Sequence, residues 1–102
     1  MAVININKDN FEEEVIKSEK KVLIDFYADW CGPCKMIGPV VEGLADENPN
    51  IKVVKVNVDD NSDLAAKYQV MSIPTLIVVN NGEVVNKSVG LISKGEILDL
   101  VK

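Results

Sequence analysis

The chain has 102 residues, 47% of them hydrophobic, and 16 Asp and Glu against 11 Lys and Arg with no histidine, a formal charge of -5. That length supports one domain, residues 1–102, around one modest core, and no Pro/Gly/Ser-rich linker divides it. The negative balance argues against nucleic acid as a partner, since polyanion binders carry a basic patch. No stretch approaches the ~18 apolar residues of a membrane span, and Met1 to Asn7 lacks the basic start of a secretory leader. The expectation is a cytoplasmic protein with no membrane attachment.

Val3 to Ile6 reads as a short strand. Asp9 to Lys17 reads as a helix with Phe11, Val15 and Ile16 facing inward. Asp9, Glu12, Glu13 and Glu14 place negative charge at its start, where the helix dipole favours it. Lys21 to Tyr27 is an apolar run interrupted by Asp25 and reads as a buried strand. A helix follows from about Cys31 to Asn48, stopped by Pro49-Asn50. Its interior holds Gly38 and Gly43, each ~1 kcal/mol less favourable than alanine, and Pro39, which removes a helical hydrogen bond, so the helix is expected to bend and open there. Ile51 to Val58 is rich in valine and reads as a central strand. A short helix spans Ser62 to Tyr68, with Asp59, Asp60 and Asp63 read as charge gathered at its start. Thr75 to Val79 and Glu83 to Val89 flank Asn80-Asn81-Gly82, a hairpin signal. Lys94 to Val101 closes the chain as a helix capped by Ser93. The order βαβαβαββα predicts an α/β fold with a central mixed five-stranded sheet and helices on both faces.

Both cysteines lie in Trp30-Cys31-Gly32-Pro33-Cys34, at the junction between the buried strand and the long helix. Free backbone N–H groups and the positive end of the helix dipole at that junction favour a thiolate at Cys31. Cys34 sits one turn further in, on the same face. Pro33 fits the first turn, where a missing N–H costs little. Two other readings stand beside redox chemistry. A zinc site usually wants four Cys or His ligands, so two cysteines would need carboxylates or a zinc-bridged dimer. A purely structural disulfide at this spacing closes too small a loop to constrain much of the unfolded chain.

Asp25 needs its own explanation, because an unpaired carboxylate in a covered strand is costly and burial raises its pKa. Lys55, which interrupts Val53-Val54-Lys55-Val56, could pair with it, tune it, or simply snorkel to solvent.

Trp30-Cys31-Gly32-Pro33-Cys34-Lys35, the preceding Asp25-Phe26-Tyr27-Ala28, the later Ile73-Pro74-Thr75 and the Asn81-Gly82-Glu83 turn together resemble the thioredoxin family. The resemblance spans nearly all of the chain and implies the thioredoxin fold. It also implies a general protein-disulfide reductase that is re-reduced by a thioredoxin reductase, acts on disulfide-containing client proteins, works as a monomer and holds no cofactor or metal. By the same resemblance Cys31 is the nucleophile, Cys34 the resolving thiol and Asp25 its proton acceptor. The candidate site also takes in Lys55, read from its position as a tuner of Asp25 or a snorkelling lysine, and Gly32 and Pro33, which tune the pair. Pro74 is implied to be cis, leaving the Ile73 backbone to pair with an extended substrate. Trp30, Gly32, Pro33, Val58, Gly90 and Leu91 would complete the apolar contact surface. Tyr27 stands where many members carry a second tryptophan, and Gly38 where alanine is frequent. The alternative function is a binding or scaffold subunit of the same fold in which the cysteines are dispensable.

Overall fold

A computed structural model describes residues 3–102. The expectation about a leader rests partly on Met1 and Ala2, which lie outside the described residues. The strands are β1 (Val3–Asn5), β2 (Lys21–Tyr27), β3 (Ile51–Asn57), β4 (Thr75–Asn80) and β5 (Glu83–Val89). The helices are α1 (Gly32–Glu47), α2 (Ser62–Lys67) and α3 (Lys94–Leu100), and a π-helical turn, Glu12–Ile16, stands between β1 and β2. The strands form one sheet in the order β1-β3-β2-β4-β5. β1 and β2 run parallel to β3, while β4 runs antiparallel to both β2 and β5. The mixed five-stranded sheet of the sequence reading is therefore the one observed.

Both faces of the central strands are buried, which is why β4 and most of β2 read as near-continuous apolar runs rather than alternating ones. Val22, Ile24 and Phe26 of β2 join Val54, Val56, Ile77 and Val79 in a core closed by Phe11, Val15 and Leu64. Leu23 joins Val53, Leu76 and Val78 in a second core, closed by Ile37, Val41 and Leu44 of α1 and by Ile97 of α3. Side chains alternate along a strand, so Asp25 falls on the same side as Leu23, facing α1. Lys55 falls on that side of β3 with Val53, and the two are register partners across the parallel pair.

Several local expectations change. The regular segment after β1 is not an α-helix from Asp9. Asn7 accepts from the backbone N–H groups of Asp9 and Asn10, holding that stretch in a turn, and Lys17 N–H donates to the Glu12 carbonyl at 2.9 Å, five residues back. Phe11 and Val15 are nonetheless buried as expected. The hairpin turn is the two residues Asn81 and Gly82, both at positive φ (55° and 81°), the arrangement that suits a right-twisted hairpin. α2 begins at Ser62 as expected, but Asp59 and Asp60 do not gather at its start, because Asn57 Oδ1 accepts from both their N–H groups and folds them into the preceding turn. Only Asp63 lies in the first turn of α2.

Candidate active site

The site starts where β2 ends. Tyr27 passes through Ala28, Asp29 and Trp30 to Cys31, whose N–H donates to the Ala28 carbonyl at 3.2 Å. Cys31 is the N-cap of α1: its Sγ accepts the Cys34 N–H at 3.2 Å, so the sulfur does the work a serine hydroxyl does at other helix starts. Cys31 and Cys34 are joined by a disulfide, with Cα atoms 5.3 Å apart. They are 4% and 5% exposed, packed with Ala28 and flanked by Tyr27, Val58 and Ile73. Gly32 and Pro33, between them, are exposed.

Asp25 is fully buried, and neither carboxylate oxygen has a hydrogen-bond partner among the described residues. Burial pushes its carboxyl up to about 6; Lys55 pulls the other way, and Glu42 adds to the rise. The pairing of Asp25 with Lys55 is not what the structure shows. Lys55 Nζ lies 3.4 Å from Glu42 Oε2 on α1 and 4.5 Å from the centre of the Tyr27 ring. These groups border a cavity of about 410 Å³ lined by Tyr27, Cys34, Gly38, Glu42 and Lys55, among others. Sequence reasoning does not find Glu42, because no local pattern reveals which strand residue a helix side chain will meet.

On the other side of the cysteines, Trp30, Val58 and Ile73 line one apolar groove of about 370 Å³ together with Val70, Met71 and Ser72. Trp30 is 71% exposed, and its Nε1 donates to Asp59 Oδ2 at 2.8 Å. Asp59 thus holds an indole instead of gathering charge at a helix start. Met71, also exposed, is a groove residue that sequence reasoning does not single out; the apolar Val70-Met71 next to Ile73-Pro74 is the available signal. The Ile73-Pro74 peptide is cis, and the Pro74 carbonyl accepts the Gly90 N–H at 2.8 Å, which brings the Gly90 loop beside the Pro74 loop. Gly90 has φ of +95°, a conformation that favours glycine. Leu91 is exposed beyond it, and neither Leu91 nor Pro33 lines the Trp30 groove. Among the described residues no group of three or more His, Cys, Asp or Glu is placed to hold a metal ion, and no helix is long and apolar enough to cross a membrane.

The thioredoxin family model matches residues 2–102. The chain belongs to the thioredoxin family. Curated relatives include a thioredoxin of Streptomyces clavuligerus, 51% identical over 92% of this chain and 88% of the relative. A thioredoxin of Bacillus subtilis (strain 168) is 50% identical over 99% and 96%. Among solved structures, a mutant thioredoxin from Halobacterium salinarum superposes with a TM-score of 0.90 at 39% identity, covering 97% of this chain and 87% of that one. The fold is the thioredoxin fold, and the Cys31–Cys34 pair is the redox-active centre of a thiol–disulfide oxidoreductase. Thioredoxins as a family work with a thioredoxin reductase and with proteins that carry disulfides.

Proposed function

We propose that Cys31 attacks client disulfides and Cys34 resolves the adduct, with Asp25 taking the Cys34 proton. In the reduced protein the Cys31 thiolate attacks one sulfur of a client disulfide. The client S–S bond breaks, a Cys31–client disulfide forms, and the other client sulfur leaves as a thiol once protonated. Cys34 then gives its proton to Asp25 and attacks Cys31 Sγ, releasing the second client thiol and leaving the intramolecular disulfide. Two electrons pass from the chain to the client. The Cys34 N–H that points at Cys31 Sγ, together with the start of a 16-residue helix, favours negative charge on the first sulfur.

The single observation that carries the reading is Asp25. A fully buried carboxylate without a hydrogen-bond partner among the described residues, on the strand that runs straight into the cysteine loop, has a proton affinity suited to exchange near neutral pH. Client segments are assigned to the Trp30, Val58 and Ile73 groove, with the Ile73 backbone pairing by strand addition. Gly32, Pro33, Gly90 and Leu91 extend that surface. The protein is read as a single-domain cytoplasmic monomer whose electrons come from a thioredoxin reductase. Replacing Cys34 with serine and exposing the reduced protein to a disulfide protein tests the roles. Covalent adducts through Cys31 are expected by mass spectrometry, and an adduct-free Cys34→Ser protein would overturn the assignment.

A further inference from the structure

Lys55 and Asp25 stand in register on adjacent strands, both on the α1 side of the sheet, yet the ammonium is not on the carboxylate. It is held 3.4 Å from Glu42 Oε2 and lies over the Tyr27 ring at 4.5 Å. Glu42 reaches it from one turn beyond Gly38. The pair lies beside that glycine: a Cβ there would be in ordinary contact, 3.9 Å from Glu42 Oε2 and 4.0 Å from Lys55 Nζ. We propose that Glu42 is a positioning residue of the redox centre, whose carboxylate holds the Lys55 ammonium off Asp25 so that Asp25 can change protonation state during resolution. This rests on the reading of Asp25 as the proton acceptor of Cys34.

The physical case is a competition for one cation. A lysine closed onto a buried carboxylate would keep it ionised and make it a weak base, poorly matched to a thiol proton. With Glu42 present the cation is already paired, and burial dominates at Asp25, as the order of effects on its carboxyl indicates. The other polar groups bordering the cavity are Tyr27, Asp29, Cys34 and Lys35. β4 sets apolar Leu76 opposite Asp25, and Ile97 of α3 and Val101 just after it bring apolar side chains to this face. Among the described residues Glu42 is the carboxylate paired with Lys55 in this corner, and the Tyr27 ring seats the same ammonium from β2.

The test is a double-mutant cycle on the full chain. The Asp25 carboxyl midpoint is read by carbon-13 NMR titration in the wild type, Glu42→Gln, Lys55→Gln and the double variant. In parallel, the pH profile of the second thionitrobenzoate release is followed when the reduced protein meets an aromatic disulfide. Glu42→Gln is expected to lower the Asp25 midpoint by about one pH unit. In the Lys55→Gln background the same substitution should move it by less than half as much. No shift in Glu42→Gln, or an equal shift with and without Lys55, overturns the inference, because Glu42 would then act as a bare charge or not at all. A midpoint that moves while the second release keeps its pH profile leaves Glu42 in place and removes Asp25 from the resolving step. Glu42→Gln is nearly isosteric at a partly exposed side chain, so a cooperative urea transition is expected for it.

Discussion

At Asp25 the fold holds a carboxylate with no hydrogen-bond partner among the described residues, in a position where burial raises its proton affinity. A group kept in that condition suits proton transfer better than packing. Asp25→Asn should therefore leave the first thionitrobenzoate release, which reports Cys31 attack, largely intact. It should slow the second, which reports resolution by Cys34, on the order of 10²-fold. Equal slowing of both phases in stopped flow would make the acid a structural residue only. Trp30 poses a smaller question at the same scale. Its bond to Asp59 is solvent-exposed, so losing it costs little in stability. Asp59→Ala is expected to change ΔG of unfolding by no more than ~1 kcal/mol while raising KM for a protein disulfide more than it lowers kcat. An unchanged KM would show that indole orientation does not matter to the client groove.

Among the elements, α1 combines a well-placed start with a weakened middle. Pro39 has no N–H to offer the Lys35 carbonyl, and Gly38 and Gly43 add backbone freedom on either side. Amides from Ile37 to Leu44 are expected to exchange faster than those of β2 and β3, read by native-state hydrogen exchange; uniformly slow exchange through that stretch would contradict it. α3 is only seven residues long and depends on its cap. Ser93 Oγ accepts the Glu96 N–H at 3.2 Å, and Glu96 Oε1 accepts the Ser93 N–H at 3.0 Å. Ser93→Ala should cost ~1 kcal/mol in urea denaturation. The α3 cap, the β4–β5 turn and the burial of Asp25 are all legible in the sequence, because each depends on residues a few positions apart. What is not legible depends on packing between distant segments. The Trp30–Asp59 bond joins residues 29 positions apart, and the Lys55–Glu42 pair depends on how α1 is rotated over β3. The π-helical turn is hidden for a related reason: Phe11, Val15 and Ile16 present an inward face under either helical hydrogen-bond pattern.

For the molecule as a whole, Asp25 makes stability depend on pH in a direction opposite to that of an ordinary salt-bridged acid. Its folded carboxyl lies at about 6 against an ordinary value of 3.8, so between those two values the folded protein binds more protons than the unfolded chain. Stability from this group is then greatest below about pH 4, declines as pH rises through 6, and levels off above that. The full difference corresponds to ~3 kcal/mol at most, since one pKa unit is about 1.4 kcal/mol. Asp25→Asn removes the ionisation while keeping the size of the side chain. Urea titrations of the oxidised protein from pH 4 to pH 8 should therefore show the variant gaining on the wild type as pH rises, with the difference between the two curves growing through pH 6 and flat by pH 8. Other carboxylates affect both proteins alike and cancel in that difference. Two curves that stay parallel across the whole range would mean that the carboxylate is solvated or paired in solution. The burial of Asp25 would then carry neither the stability argument nor the catalytic one.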